Sequence, residues 1–318
     1  LNPDELIVEL RKTLIRKAVI PAGGIGSRLL PVTKAVPKEM LPIVDTPAIQ
    51  FVIEEAVSSG IESILIVTSS GKYVLEDYFS KSKELERMLE EKGKHKLCQV
   101  IRDISSMADI HFIRQTEPLG LGHALLCARH FVGDEPFAVL LPDDLIQSET
   151  PCLKEMIQAY EQFCTSVIAV QRVPRNEVDR YGIITPVRLP ECSNRRMLAI
   201  EDVIEKPSPE TAPSDLAVVG RYILEPDLFP ILHTTAPGKG GEIQLTDALR
   251  VLNQQHQMLA WEIRGNRYDV GNKLGYIQAS IEYALSRDNL RIELLAYLRT
   301  LLQSPLAADL MSTGVSKS

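Results

Sequence analysis

Residues 22–42 read AGGIGSRLLPVTKAVPKEMLP, and the rest of the chain is best read outward from them. Just before them, Lys17 to Pro21 (KAVIP) is a short apolar run of the kind that forms a buried strand. Gly23, Gly24 and Gly26 then allow a sharp turn and leave backbone N–H groups unhindered. Arg28, Lys34 and Lys38 place three cations close behind those donors. N–H groups with positive charge beside them suit a polyphosphate. Pro31, Pro37 and Pro42 stiffen the segment, since each fixes its own φ and restricts the residue before it. Spacing excludes two familiar loops. Gly24-Ile25-Gly26 is followed by Ser27-Arg28-Leu29, so the third glycine of a dinucleotide fingerprint is missing. No Gly-Lys-Ser/Thr follows at the Walker distance either. A plain tight turn and a phosphate loop of a third kind remain.

Composition narrows the class. A chain of 318 residues, 45% of them hydrophobic, is long and apolar enough for one large domain, or a core with a smaller lobe. The formal charge of −7 argues against a nucleic-acid surface but not against one bound nucleotide. Cysteines 98, 127, 152, 164 and 192 are scattered without a C-x-x-C pair, which fits free thiols in a reducing compartment. Residues 1–15 carry Asp4, Glu5 and Glu9 and read as a short amphipathic helix with Asn2 as N-cap, not as a signal peptide. No apolar run reaches the length of a membrane span. A cytoplasmic protein with no membrane or nucleic-acid partner is expected.

Further along, Thr46 as cap and Pro47 in the first turn predict a helix over 47–59, ended by Gly60. The β-branched run Ile61 to Thr68 predicts the next strand, completing a crossover unit of a parallel sheet. Residues 72–107 are charged and helical in pattern, a solvated excursion. A strand over 110–114 leads into QTEPLGLGHA at 115–124. There Gly120 and Gly122 let a ligand approach the backbone, and Gln115 offers both a donor and an acceptor. The strand FAVLL over 137–141 runs into Pro142-Asp143-Asp144, at the sheet edge where open parallel sheets bind ligands. Two adjacent carboxylates there need a cation or hydrogen bonds to offset their repulsion. After a strand over 165–173, strand-like pieces at 183–188, 197–204 and 216–224 predict a more antiparallel lobe laid beside the core sheet. That lobe carries Arg180-Tyr181-Gly182 and Glu205-Lys206-Pro207. GGEIQLTD at 240–247 reads as a helix start, 258–264 as a strand, Asp269 as a turn residue before a helix, and 272–302 as helical.

The loop motif, with its continuation PKEMLPIVD at 37–45, resembles the signature of sugar-1-phosphate nucleotidylyltransferases, in particular their bacterial uridylyl-transferring branch. The resemblance runs from about Ile15 to Asn289. It implies an α/β fold: a three-layer α/β/α Rossmann-like nucleotidyltransferase with a mixed, mainly parallel central sheet and a smaller sugar-side lobe. The expected division is an N-terminal extension over 1–15 and a nucleotidyltransferase domain over 16–270, its nucleotide half ending near 173. C-terminal helices over 271–303 and a mobile tail over 304–318 follow.

The implied reaction joins UTP and α-D-glucose 1-phosphate into UDP-glucose and pyrophosphate with the help of magnesium. The resemblance assigns the nucleotide to Ala22, Gly23, Gly24, Glu39, Gln115, Pro118, Gly120 and Asp143. It assigns the sugar phosphate to Gly182, Glu205, Lys206 and Val219, and the metal to Asp143 and Asp269. Arg28, Lys38, Asp143 and Lys206 are the expected catalytic residues. A carboxamide such as Gln115 can match uracil, whose N3–H lies between two carbonyls. The C-terminal helices point to a homodimer or homotetramer. A relative forming dTDP-glucose or another NDP-sugar, or a non-catalytic regulatory one, is the alternative.

Overall fold

The computed structural model describes residues 14–189 and 194–305. Residues 1–13 of the expected N-terminal helix, and all but the first two residues of the expected tail, lie outside them. Among the described residues, nine strands join in one sheet. From one edge these are Asp109–Arg114, Ser63–Thr68, Lys17–Pro21, Phe137–Leu140, Leu216–Leu224, Val167–Arg172, Leu259–Glu262, Met197–Glu205 and Gly182–Arg188. The first four run parallel. Leu216–Leu224 is antiparallel to both of its neighbours, and Val167–Arg172 runs parallel to Leu259–Glu262.

Alternation along each strand builds the layers, because successive side chains leave opposite faces of a sheet. In the first strand Ala18 and Ile20 join one buried cluster and Val19 joins the other. The first cluster packs the helices Ala48–Ser58 and Cys152–Phe163 on one face. The second packs Gly120–Cys127, Leu228–Thr234 and Leu245–Gln255 on the opposite face. Phe137 and Phe229 stack there with ring centres 5.3 Å apart. Each such fully buried side chain contributes about 1.5–3 kcal/mol. The result is the expected α/β/α sandwich with a mixed sheet, but the sheet is not mainly parallel. Of the eight neighbouring strand pairs four are parallel and four antiparallel, because the strands of the expected sugar-side lobe enter it antiparallel.

Three local expectations are corrected. The strands Gly182–Arg188, Met197–Glu205 and Leu216–Leu224 are antiparallel as expected, but they do not lie beside the core sheet. Leu216–Leu224 is hydrogen-bonded into its middle, so one continuous sheet underlies both halves. Thr46 does not cap the first helix. Its backbone pairs with Ile43 in a two-residue hairpin and its hydroxyl donates to Asp45, so Pro47 becomes the N-cap residue. Asp269 is not in a turn. It ends the strand Asn266–Asp269, which pairs antiparallel with Asp144–Gln147 in register Asp269 to Asp144. The following helix, Lys273–Leu285, is capped by Asn272, whose side chain accepts from the Gly275 N–H at 2.8 Å. Among the described residues no helix is long and apolar enough to cross a membrane.

Candidate active site

The glycine loop leaves the first strand over the sheet edge and descends through three single turns, Ser27–Leu29, Val32–Lys34 and Lys38–Met40. Gly26 takes a left-handed φ of 71°, where a side chain would also press on Thr33 and Lys38. The loop is held from beneath by Lys72, which was read as part of a solvated stretch. Its ammonium donates to the carbonyls of Ala22 and, at 2.8 Å, Gly24. It also pairs with the fully buried carboxylate of Glu39 at 2.9 Å. Burial pushes Glu39 up and Lys72 down from their ordinary pKa values, each opposed by attraction to the other. Glu39 thus supports the loop from within.

Asp143 follows the strand Phe137–Leu140, and Asp269 is brought to it by the pairing of Asn266–Asp269 with Asp144–Gln147. The Val270 N–H donates to the Asp143 carbonyl at 2.8 Å and fixes the two chains together. Gly271 marks where the two carboxylates converge. A methyl group there would lie 2.6 Å from Asp143 Oδ2, 3.0 Å from Asp269 Oδ1 and 2.7 Å from Arg28 Nη2. Lys38 Nζ donates to Asp143 Oδ2 at 2.6 Å, and Arg28 Nη1 to Asp269 Oδ2 at 3.0 Å. Burial opposes the charge on both Lys38 and Asp143. Mutual attraction outweighs it, keeping Asp143 below the usual aspartate pKa and Lys38 above the usual lysine one. Lys34 is not part of this ion-pair cluster.

Asp144, the other carboxylate of the pair, serves structure. It is buried, accepts from the Gly220 N–H at 2.7 Å and pairs with Arg267 at 2.6 Å. Arg221, with no exposed surface, braces the same segment. It donates to the carbonyls of Asp144 and Leu141 and pairs with Glu55 at 2.7 Å.

Three cavities adjoin one another along this side of the molecule. One of about 390 Å³ is lined by Gly23, Gly24, Lys38, Gln115, Pro118, Gly120, Asp143 and Glu242. A second, about 280 Å³, shares Leu121 and Leu141 with it and holds Gly182, Glu205, Lys206 and Val219. A third, about 490 Å³, shares Glu242 with the first and Glu205 and Lys206 with the second. Shared walls make them one cleft; the side at Gly23, Gln115 and Gly120 is the one expected to take the base, and the side at Gly182, Glu205 and Lys206 the one expected to take the sugar. A larger hollow of about 590 Å³, at Gln147–Thr150 and Arg264–Asn266, holds none of the expected site residues.

On the base side Gln115 is 8% exposed, and its Oε1 would lie 2.8 Å from a side chain placed at Gly23. Only glycine lets the loop pass so close. On the sugar side Lys206 has a left-handed φ of 47°, a strain of about 1–3 kcal/mol for a non-glycine residue. Its ammonium lies 2.7 Å from Glu205 Oε1, and Thr246 donates to Glu205 Oε2 at 2.7 Å. GGEIQLTD does contain a helix start, but only at its end, after a single turn at Lys239–Gly241 and a short link over 242–244. Gly240 and Gly241 have positive φ, and the helix begins at Leu245. The Ile243 backbone bonds to Leu119 and Gly122 and so ties the sugar side to the base side.

Thr246, Lys72, Gly271 and Arg221 are the residues that sequence reasoning missed. Gly271 alone had a local signal, its place two residues after Asp269 and just before a helix.

Among the described residues no group of three or more His, Cys, Asp or Glu side chains gathers to hold a metal. Two converging carboxylates are nonetheless the donor set a magnesium ion takes when phosphates and water complete its shell.

Comparison with known proteins gives the family. Residues 17–286 match the family model described as nucleotidyl transferase. The chain is 52% identical over 288 residues to a UTP–glucose-1-phosphate uridylyltransferase of Bacillus subtilis (strain 168), covering 91% of this chain and 97% of that protein. A UDP-glucose pyrophosphorylase crystallised with UDP-glucose is similar at TM-score 0.78 and 44% identity, over 86% of this chain and 100% of that one. A UTP-bound UGPase from Acinetobacter baumannii is similar at TM-score 0.82 and 40% identity, over 91% of this chain and 99% of that one. With residues 17–286 matching the family model and about half of the aligned residues identical to those of the Bacillus subtilis relative, the chain belongs to the nucleotidyl transferase family.

Proposed function

We propose that this protein joins UTP and α-D-glucose 1-phosphate into UDP-glucose, releasing pyrophosphate. The observation that carries the reading is the ion-pair cluster of Asp143, Asp269, Arg28 and Lys38, of which Lys38 and Asp143 line the cavity of Gln115 and Gly120, itself joined through Leu121 and Leu141 to the cavity of Glu205 and Lys206.

The obstacle is charge. A sugar phosphate must approach the α-phosphorus of a triphosphate, and two unit charges 4 Å apart repel by about 4 kcal/mol at an effective dielectric of 20. Asp143 and Asp269 would hold magnesium, which when bound supplies charge compensation between the phosphates. The chain's own groups do the rest. Backbone N–H groups of the glycine loop receive the triphosphate, and Gln115, Pro118 and Gly120 receive the base. Lys206 holds the sugar phosphate, while Glu205 and the backbone at Gly182 and Val219 take the sugar. An oxygen of glucose 1-phosphate forms the new bond to the α-phosphorus as the bond to the β-phosphate breaks. Arg28 and Lys38 stabilise the charge on the departing pyrophosphate. That attacking oxygen is already ionised, so no general base is required. Catalysis rests on positioning and charge compensation.

The support for uracil over thymine is the naming of the relatives, since one methyl group is worth only about 1–3 kcal/mol in a pocket. The test is pyrophosphate release with UTP or dTTP, each against glucose 1-phosphate and other sugar phosphates. UTP with glucose 1-phosphate should have the highest kcat/KM; preference for dTTP would overturn the assignment. The reading extends to a homodimer or homotetramer, supported by apolar residues left exposed on Asp288–Leu302, with Ile292 78% and Tyr297 61% exposed. It extends also to a cytoplasmic setting, supported by the free thiols of Cys98, Cys127, Cys152 and Cys164.

A further inference from the structure

The base-side cavity carries one detail that the reaction above does not use. Gln115 Nε2 lies 3.1 Å from the Gly120 carbonyl and 2.9 Å from His123 Nδ1. A carbonyl can only accept, so the amide end of the side chain must face Gly120. Its second N–H then meets His123 Nδ1, which must accept as well, with the imidazole proton on Nε2. Both donors of the carboxamide are thereby satisfied. Only Oε1, on the Gly23 side, is left to face a ligand. His123 is not among the residues lining the cavity, so it acts through Gln115.

We infer that His123 is a positioning residue for base selection: with Gly120 it occupies both N–H groups of Gln115, so the cavity accepts pyrimidines that donate at N3 and rejects those that accept there. Uracil and thymine carry an N3–H that Oε1 can take. Cytosine presents a bare N3, setting acceptor against acceptor. A carboxamide free to turn would serve either base. The inference rests on Gln115 reading the base, as proposed above.

The test compares kcat/KM for UTP and CTP, with glucose 1-phosphate as partner, in the native protein and in His123→Leu, His123→Gln and Gln115→Ala. Removing one hydrogen bond that orients the carboxamide should lower the UTP/CTP ratio about tenfold in His123→Leu. His123→Gln again offers an oxygen acceptor to Gln115 and should restore most of the ratio. Loss of packing alone would lower both rates together and leave the ratio unmoved. The inference is overturned if His123→Leu keeps the native ratio while Gln115→Ala collapses it. If Gln115→Ala also keeps the native ratio, Gln115 does not read the base, and the base-side assignment falls together with the inference. Thermal melts of the four proteins establish that each is folded.

Discussion

Asp143 stays charged where burial alone would neutralise it. Lys38 and Arg28 hold its carboxyl below the ordinary aspartate range. A depressed native pKa stabilises the fold above the unfolded value, near 3.9, and the contribution disappears as pH falls through the native value. Denaturant unfolding of the ligand-free protein at a series of acid pH values should therefore show a falling limb that Asp143→Asn flattens. An unchanged limb would mean that the cluster does not act as an ion pair. Lys72 offers a second check at this scale. Lys72→Met leaves the Glu39 carboxylate buried and uncompensated, a loss of about 3–5 kcal/mol. Urea unfolding measures it, and the double variant with Glu39→Leu should recover part of the loss.

Elements bring these residues together, and at that level the sequence is unevenly legible. The glycine loop, the strand before it and the residues after Phe137–Leu140 could all be read, because each is contiguous and has its own chemistry. Gln115, Pro118 and Gly120 stand in one cavity for the same reason: the strand Asp109–Arg114 delivers them directly to the sheet edge. Lys72 could not be read, since only the folded chain gives it Glu39 as a partner. Asp269 was placed in a turn because its partner strand, Asp144–Gln147, is far away in sequence. The sugar-side strands looked like a separate lobe because antiparallel pattern alone does not say which sheet a strand joins. Gly271 is the test of how the elements meet. Gly271→Ala puts a methyl against both carboxylates and Arg28, displacing the cluster while leaving the backbone conformation open to alanine. We expect kcat to fall by about 100-fold or more with little change in melting temperature. A native rate would mean that the carboxylates need not converge for turnover.

At the scale of the molecule, one continuous sheet underlies both sides of the cleft, so the proposed base and sugar sites share one floor. The outer helix Asp288–Leu302 has no buried residue and exposes Ile292, Tyr297 and Leu302. Light scattering should give a mass of two or four chains, and Ile292→Asp should shift it toward one; a single-chain mass for the native protein would refute the assembly. The most direct test of the mechanism is the magnesium dependence of pyrophosphate release from UTP and glucose 1-phosphate, in the native protein and in Asp269→Asn. Expected is a rate that requires magnesium in the native protein, with the variant orders of magnitude slower and saturating only at higher metal. A variant that turns over at the native rate with the native metal dependence would contradict the joint role of the two aspartates.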